Sequence, residues 1–214
     1  MKTRKKTLVV IFDCDGVLFD SRQANIHFYN HLLEHFGLPL MDEEEIAYVH
    51  MRTADESIRR IFRGSPLTDA ALDYRWKVDF APFIRDMVPE PGLREVLACL
   101  GTETGLGVAT NRSHTIDTVL ERHELTPYFD VVISSLDVKR PKPHPEGLFK
   151  ILAHFDIEAS QALYVGDSSV DAETALAAGV PFAAYKDDRL PGRYHVHDLW
   201  EVARIVLGGE GKGS

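Results

Sequence analysis

Apolar and polar positions change period twice along this chain. Leu8-Val9-Val10-Ile11-Phe12 is a short unbroken apolar run, the pattern of a buried strand and too short to cross a membrane. Past Asp20-Ser21, an N-cap-like pair, Ile26, Tyr29, Leu33 and Phe36 recur at helical spacing until Gly37-Leu38-Pro39 stops them. Residues 42–51 and 54–62 give two more helices, and Gly64-Ser65-Pro66 breaks the chain again. Leu72, Trp76, Phe80, Phe83, Ile84 and Met87 mark a further helix, bent near Pro82. No strand pattern interrupts residues 21–88, which therefore form an all-helical insert closed by Pro89-Glu90-Pro91-Gly92.

Beyond that boundary helices and short apolar strands alternate. Helices are predicted at 93–100, 113–124, 146–155 and 170–178, each followed by a strand, at 105–110, 131–134, 162–165 and 181–185. A last amphipathic helix covers 198–207. With the first strand this predicts a Rossmann-like α/β core, a parallel sheet of about five strands covered on both faces. The core comprises residues 1–20 and 89–214, and the helical insert residues 21–88.

Composition narrows the partners. The 214 residues suffice for a real hydrophobic core, with 44% hydrophobic and 27% charged residues, ordinary for a soluble globular protein. A net charge of -9 argues against nucleic acid and anionic membranes, so contacts to an anionic substrate must be local. Two cysteines, Cys14 and Cys99, make no disulfide framework and fit a reducing cytoplasm, the expected location. The basic stretch at residues 2–6 precedes an apolar run broken by Asp13, which is neither a signal peptide nor an anchor. The glycine-rich tail, 208–214, is expected to fray, and the protein to be a monomer or a homodimer.

In parallel sheets ligands bind beyond the carboxyl ends of the strands. There this chain places Asp13 and Asp15, then Thr110-Asn111-Arg112, a loop with Lys139, Arg140 and Lys142, and Gly166-Asp167-Ser168 through Asp171. Singly, Thr110 and Asp167 read as helix caps and Lys142 as a solvated loop residue between two prolines. Asp171 lies one turn beyond Asp167 and can buttress it or its neighbours. Of the ten histidines only His144 falls near this rim. Together the groups permit phosphoryl transfer. Mg²⁺ takes oxygen ligands, here the Asp13 and Asp167 carboxylates and the Asp15 main-chain carbonyl. Asp13 can attack phosphorus to form an aspartyl-phosphate, while Asp15 protonates the departing alkoxide and then deprotonates the hydrolytic water. Thr110, the Asn111 backbone and Lys142 would bind the phosphoryl oxygens.

These residues resemble the haloacid dehalogenase superfamily in its phosphoglycolate phosphatase and β-phosphoglucomutase-like branch, which carries a helical C1 cap. Asp13-Cys14-Asp15-Gly16-Val17-Leu18 resembles the first family motif, Thr110-Asn111 the second, Lys142-Pro143 the third, and Gly166-Asp167-Ser168 through Asp171 the fourth. The resemblance implies a mobile cap at 21–88, a Mg²⁺ requirement, supporting roles for Ser168 and Asp171, and a small phosphorylated metabolite of phosphoglycolate or sugar-phosphate type as substrate. Asp15 argues against a dehalogenase, and Lys77, the only lysine of the insert, reads as a surface residue rather than a Schiff-base former. Mutase relatives carry a histidine where this chain has Asn25, with His27 two further on, so a mutase is the second reading. A phospho-aspartate signalling or binding protein is a third, poorly matched by the Asp13-x-Asp15-Gly16 motif and the large insert. Arg52, between two insert helices, can meet a substrate carboxylate or hydroxyls. Cys14 is expected to face the core.

Overall fold

The structure is a computed structural model that describes residues 7–208; the basic residues 2–6 and the tail past residue 208 lie outside it. In chain order the strands are β1 (Val9–Phe12), β2 (Phe19–Asp20), β3 (Val88–Pro89), β4 (Gly105–Ala109), β5 (Val131–Ile133), β6 (Ala162–Gly166), β7 (Phe182–Tyr185) and β8 (Tyr194–Val196). The α-helices are α1 (Arg22–His35), α2 (Glu43–Met51), α3 (Ala54–Ile61), α4 (Thr68–Tyr74), α5 (Ala81–Ile84), α6 (Leu93–Gly101), α7 (Thr115–Arg122), α8 (Glu146–His154), α9 (Ser169–Ala178) and α10 (Leu199–Leu207).

Six strands form one sheet in the order β5-β4-β1-β6-β7-β8, with every neighbouring pair parallel. The sheet has one strand more than its apolar pattern predicts. Tyr194-His195-Val196 has no continuous apolar run, and β8 exists because its backbone pairs with the exposed edge of β7. Side-chain alternation sorts the interior. Val10, Phe12, Val108 and Val165 face α6, α7 and α10, whereas Ile11, Tyr164 and Phe182 face α8 and α9. Phe28, Leu32, Ile58 and Phe62, from α1, α3 and the end of α3, belong to the same apolar cluster as Val10 and Phe12. At about 1.5–3 kcal/mol per fully buried side chain, that continuity holds the helical segment down on the sheet.

The helical segment differs from its sequence pattern in two places. Val88, placed inside it by sequence, pairs antiparallel with Asp20 in the small β2–β3 ribbon that frames the segment. The single bent helix predicted over 72–87 is three pieces: α4, a 3₁₀ turn at Arg75–Lys77, and α5. Val78 is extended, and Asp79 Oδ1 accepts a 2.9 Å hydrogen bond from the Ala81 N–H, so the helix ends and restarts beside Pro82 rather than bending through it. No helix among the described residues is long and apolar enough to cross a membrane.

The chain runs from β1 outward to β4 and β5, then crosses back over β1 to β6, β7 and β8, so the strand order reverses direction at β1. The carboxyl end of β1 is thus the switch point where such sheets bind ligands.

Candidate active site

Asp13 follows β1, and its N–H donates to the Val165 carbonyl at 2.9 Å, extending the parallel pairing by one residue. A tight loop from Cys14 to Phe19 then reverses the chain. Gly16 sits there with φ 81°, and a Cβ on it would lie 2.0 Å from Asp167 Oδ2. The glycine of the first motif is needed because the fourth motif presses against it. One cavity is lined by Asp13, Asp15, Arg52, Thr110, Asn111, Lys142, Asp167 and Ser168, which brings together all the predicted site residues except Asp171. Asp171 is fully buried beneath them. Cys14 is buried in the core cluster, and burial pushes its thiol well above the ordinary value.

Lys142 is the hub of this floor. Its ammonium lies 2.9 Å from Asp13 Oδ1 and 2.7 Å from Asp171 Oδ1, and it donates to Tyr164 Oη at 3.0 Å. Tyr164 in turn donates to Asp171 Oδ1 at 2.6 Å, and the Ser168 hydroxyl and N–H donate to Asp171 Oδ2. Ser168 caps α9, which leaves Asp167 free of the capping role its position suggested. Asp171 buttresses Lys142 rather than Asp167. Burial alone would raise its pKa, but Lys142 and these donors hold it below the ordinary carboxylate range. Asn111 Oδ1 accepts the Lys142 N–H at 3.0 Å, and its Nδ2 donates to the Lys142 carbonyl at 3.2 Å and to the Met51 carbonyl at 3.3 Å. Its side chain therefore anchors the lysine loop and the end of α2. The Thr110 hydroxyl accepts the Arg112 N–H at 3.0 Å while lining the cavity.

Oxygens of Asp13, Asp167 and Asp171 lie within 4.8 Å of one another, spacing that fits a cation. Asp171 already accepts four hydrogen bonds, so Asp13 and Asp167 are the carboxylates with ligand capacity to spare. Burial, then the charges of Asp171 and Asp13, drive Asp167 well above the usual carboxylate range. Burial also raises Asp13, with Lys142 opposing. Two crowded carboxylates that resist ionisation together are relieved by a cation placed between them.

Asp15 takes a different partner. Arg112 Nε donates to its Oδ2 at 3.1 Å and Nη2 to its Oδ1 at 2.5 Å, a bidentate pair that outweighs burial and keeps the carboxyl below its ordinary pKa. The Asp15 carboxylate is therefore occupied by arginine, and only its main-chain carbonyl is available as a metal ligand. Arg112 follows the second motif directly, yet nothing in the sequence pattern pairs it with a residue 97 positions away. Asn25, His50, Arg75 and His114 also line the cavity. His144 does not; its Nδ1 accepts the Glu146 N–H at the start of α8. The histidine at the rim beside Asp167 is His50 and not His144, with Nε2 4.0 Å from Asp167 Oδ2. Lys77 lies outside the lining.

Arg52 ends α2 and its guanidinium lies 5.6 Å from the centre of the Tyr48 ring. Arg75, only 6% exposed, pairs with Asp55 at 2.5 Å. The Nε atoms of both arginines are buried without a hydrogen-bond partner among the described residues. A pocket in an acidic protein thus keeps two guanidiniums with donor capacity unused.

Residues 10–185 match the haloacid dehalogenase-like hydrolase family. The chain belongs to this family. A phosphoglycolate phosphatase of Rhodobacter capsulatus is 30% identical, the alignment covering 93% of this chain and 96% of that protein. A protein of Caldanaerobacter subterraneus subsp. tengcongensis that carries the name pyrophosphatase PpaX is also 30% identical, over 95% of this chain and 96% of its own. Among solved structures, a haloacid dehalogenase superfamily hydrolase of subfamily IA from Geobacter sulfurreducens superposes with a TM-score of 0.77 at 40% identity, covering 94% of this chain and 96% of that one. This haloacid dehalogenase-like protein is a hydrolytic enzyme, and its relatives carry the names phosphoglycolate phosphatase and pyrophosphatase.

Proposed function

We propose that this hydrolase is a phosphatase that cleaves a small phosphorylated metabolite through an aspartyl-phosphate on Asp13. One observation carries the reading: the two aspartates of the first motif have separate partners. Asp13 sits on Lys142, and Asp15 on Arg112. Carboxyls in different surroundings can divide the labour of nucleophile and acid–base group; Arg112 keeps Asp15 ionised in this arrangement, so Asp15 must be released from Arg112 before it can carry a proton to a leaving group. Asp13 Oδ1 accepts the Cys14 N–H at 2.7 Å as well as the Lys142 ammonium. Its other oxygen has no partner among the described residues and is the one to attack phosphorus, forming the Asp13 O–P bond as the ester P–O bond breaks. Once released from Arg112 and protonated, Asp15 gives its proton to the departing alkoxide, and the carboxylate so formed takes one from the water that later hydrolyses Asp13–phosphate. Lys142 and Thr110 hold the phosphoryl oxygens, and Lys142 reaches them already oriented by Asp171 and Tyr164.

The site residues fit Mg²⁺ held by Asp13, Asp167 and the Asp15 carbonyl, which when bound offsets the charge of the attacking carboxylate and the phosphoryl group. Adding Mg²⁺ to chelator-treated protein is expected to raise its melting temperature. At a hundred times the dissociation constant the gain is about 2.7 kcal/mol, roughly 5–10 °C for a chain of this size. Asp167→Asn should remove most of that increment. A melting curve indifferent to Mg²⁺ in the parent protein would exclude the assignment.

Arg52 and Arg75 favour a substrate with a second anionic group, of phosphoglycolate type, over a neutral sugar phosphate. Replacing Arg75 by Met is expected to raise KM for a carboxylate-bearing phosphoester about 10- to 100-fold, the worth of one charged hydrogen bond, with kcat changed little. Neutral sugar phosphates should be affected much less, and equal losses on both classes would remove Arg75 from substrate recognition.

The helical segment acts as a cap that closes on the substrate and excludes water. Asn25, at the position of the mutase histidine, is occupied with Arg112 and His50, which favours hydrolase over mutase. The deciding experiment is phosphate release from a panel of small phosphoesters with Mg²⁺ and with chelator. Metal-dependent turnover of carboxylate-bearing members is the expected result; no release from any ester by folded, Mg²⁺-binding protein would refute the phosphatase reading.

A further inference from the structure

Helix α9 turns an apolar side chain outward beside a groove that the proposed chemistry does not use. Glu173 and Leu176, one turn apart on that helix, line a groove of about 600 Å³ together with Val180, Phe182, Pro191 and Arg193. One side of it is therefore α9 and the other is the connection from β7 to β8. That connection is tied to the sheet, since the Arg193 N–H donates to the Phe182 carbonyl at 2.8 Å. Leu176 is 83% exposed, more than any other large apolar side chain among the described residues. Glu173 stands on one side of the groove and Arg193 on the other, and neither makes an ion pair with another described residue. None of the residues lining the groove lines the catalytic cavity.

We infer that this groove is the interface of a two-fold homodimer, in which Leu176 of each copy is seated in the groove of the other. An exposed apolar knob beside an apolar groove puts both halves of a contact on one surface, which is the condition for an isologous pairing. A two-fold axis beside α9 exchanges the two knobs and lays the α9 helices antiparallel where they cross at Leu176. Glu173, one turn away, then lies over the β7–β8 connection of the second copy, where Arg193 stands, and the symmetry makes that pairing twice. Charge selects the occupant. At a net charge of -9 two copies repel over most of their surfaces, but this face carries one charge of each sign. A strongly acidic or strongly basic partner would answer one of these charges and oppose the other, whereas a second copy answers both. The pairing leaves the catalytic cavity of each copy unobstructed.

The test is sedimentation velocity on the full chain over about 1–300 µM, the range in which an interface of modest size assembles. The parent is expected to be dimeric at the upper end. Leu176→Asp, which each dimer carries twice, should raise the dissociation constant about 100-fold. Glu173→Arg sets like charges together and should raise it about tenfold, and adding Arg193→Glu to that variant should recover most of the loss. Leu176, Glu173 and Arg193 are all exposed, so the variants keep the monomer fold, which unchanged circular dichroism and melting of the dilute proteins would verify. Recovery in the doubly reversed variant identifies the two-fold pairing, because a contact that did not join these two residues would be weakened further by the second change. A parent that stays monomeric throughout would overturn the inference and leave the groove to another occupant. A dimer indifferent to Leu176→Asp would overturn it too, by placing the interface elsewhere. Dissociation by Leu176→Asp without recovery in the doubly reversed variant would overturn the two-fold arrangement.

Discussion

Replacing Asp13 by Asn is expected to abolish turnover, by at least about 10⁴-fold, while leaving the fold at least as stable as before. The two halves of that result have one cause. An amide cannot form the phosphoryl-enzyme, and no other carboxylate replaces Asp13: Asp171 is consumed by Lys142, Tyr164 and Ser168, and Asp15 by Arg112. Folding raises the Asp13 pKa, chiefly by burial, so at neutral pH and without a cation the ionised side chain is a liability that a neutral isostere removes. The lost contact with Lys142 works in the opposite direction, but Lys142 retains Asp171 at 2.7 Å. Acid-quenched samples after mixing with labelled substrate should contain phosphoprotein for the parent and none for the variant. Measurable steady turnover by Asp13→Asn would rule out covalent catalysis at this residue. The combination of lost activity and undiminished melting temperature is the pattern of a site whose strain serves function.

Replacing Lys142 by Met is expected to damage both properties. It strands Asp171, which is fully buried, and Asp13 beside it, and breaking a buried ion pair by removing one partner costs about 3–5 kcal/mol. Loss of a preorganised donor to the phosphoryl group costs about 10²- to 10³-fold in kcat besides. The stability loss should depend on pH in a defined direction. In the parent, Lys142 holds the Asp171 pKa low; without it, burial raises the folded pKa of the stranded carboxylates above the unfolded value. The penalty is then full above that folded pKa and shrinks as acid neutralises the carboxylate, so the difference in melting temperature between parent and variant narrows from about pH 8 to about pH 5. A difference constant over that interval would mean that the stranded carboxylates are hydrated. Tyr164→Phe is the graded companion. It removes two hydrogen bonds to charged groups, the one accepted from Lys142 and the one given to Asp171, each worth about 1.5–3 kcal/mol, keeps the ring that packs against Phe182, and should lower kcat more than it alters KM.

Much of this architecture is a consequence of short-range pattern. The apolar run at β1, the alternation of helix and strand after residue 92 and the capped helices α2 and α3 are set by periodicity and by residues three or four apart, such as Asp42 with Glu45 and Thr53 with Glu56. The motif residues fall on one rim because parallel strands all end on the same side of a sheet, so order along the chain suffices to gather them. Where local pattern was silent, as at β8, or was overridden by a capping side chain, as at Asp79, the elements differ from those the pattern predicts.

The partnerships inside the rim are of another kind. That Asp171 holds Lys142 and not Asp167, that Asn111 anchors the lysine loop by its side chain, that Tyr164 reaches up from the sheet and that Arg112 clamps Asp15 all depend on rotamers and on spacing between segments far apart in sequence. The sequence by itself determined which chemistry is present and on which edge of the sheet it stands, because secondary structure and strand polarity are encoded locally. Only the tertiary structure decided which charge answers which, because a buried ion pair forms between whichever opposite charges packing brings within hydrogen-bonding distance, whatever their separation along the chain.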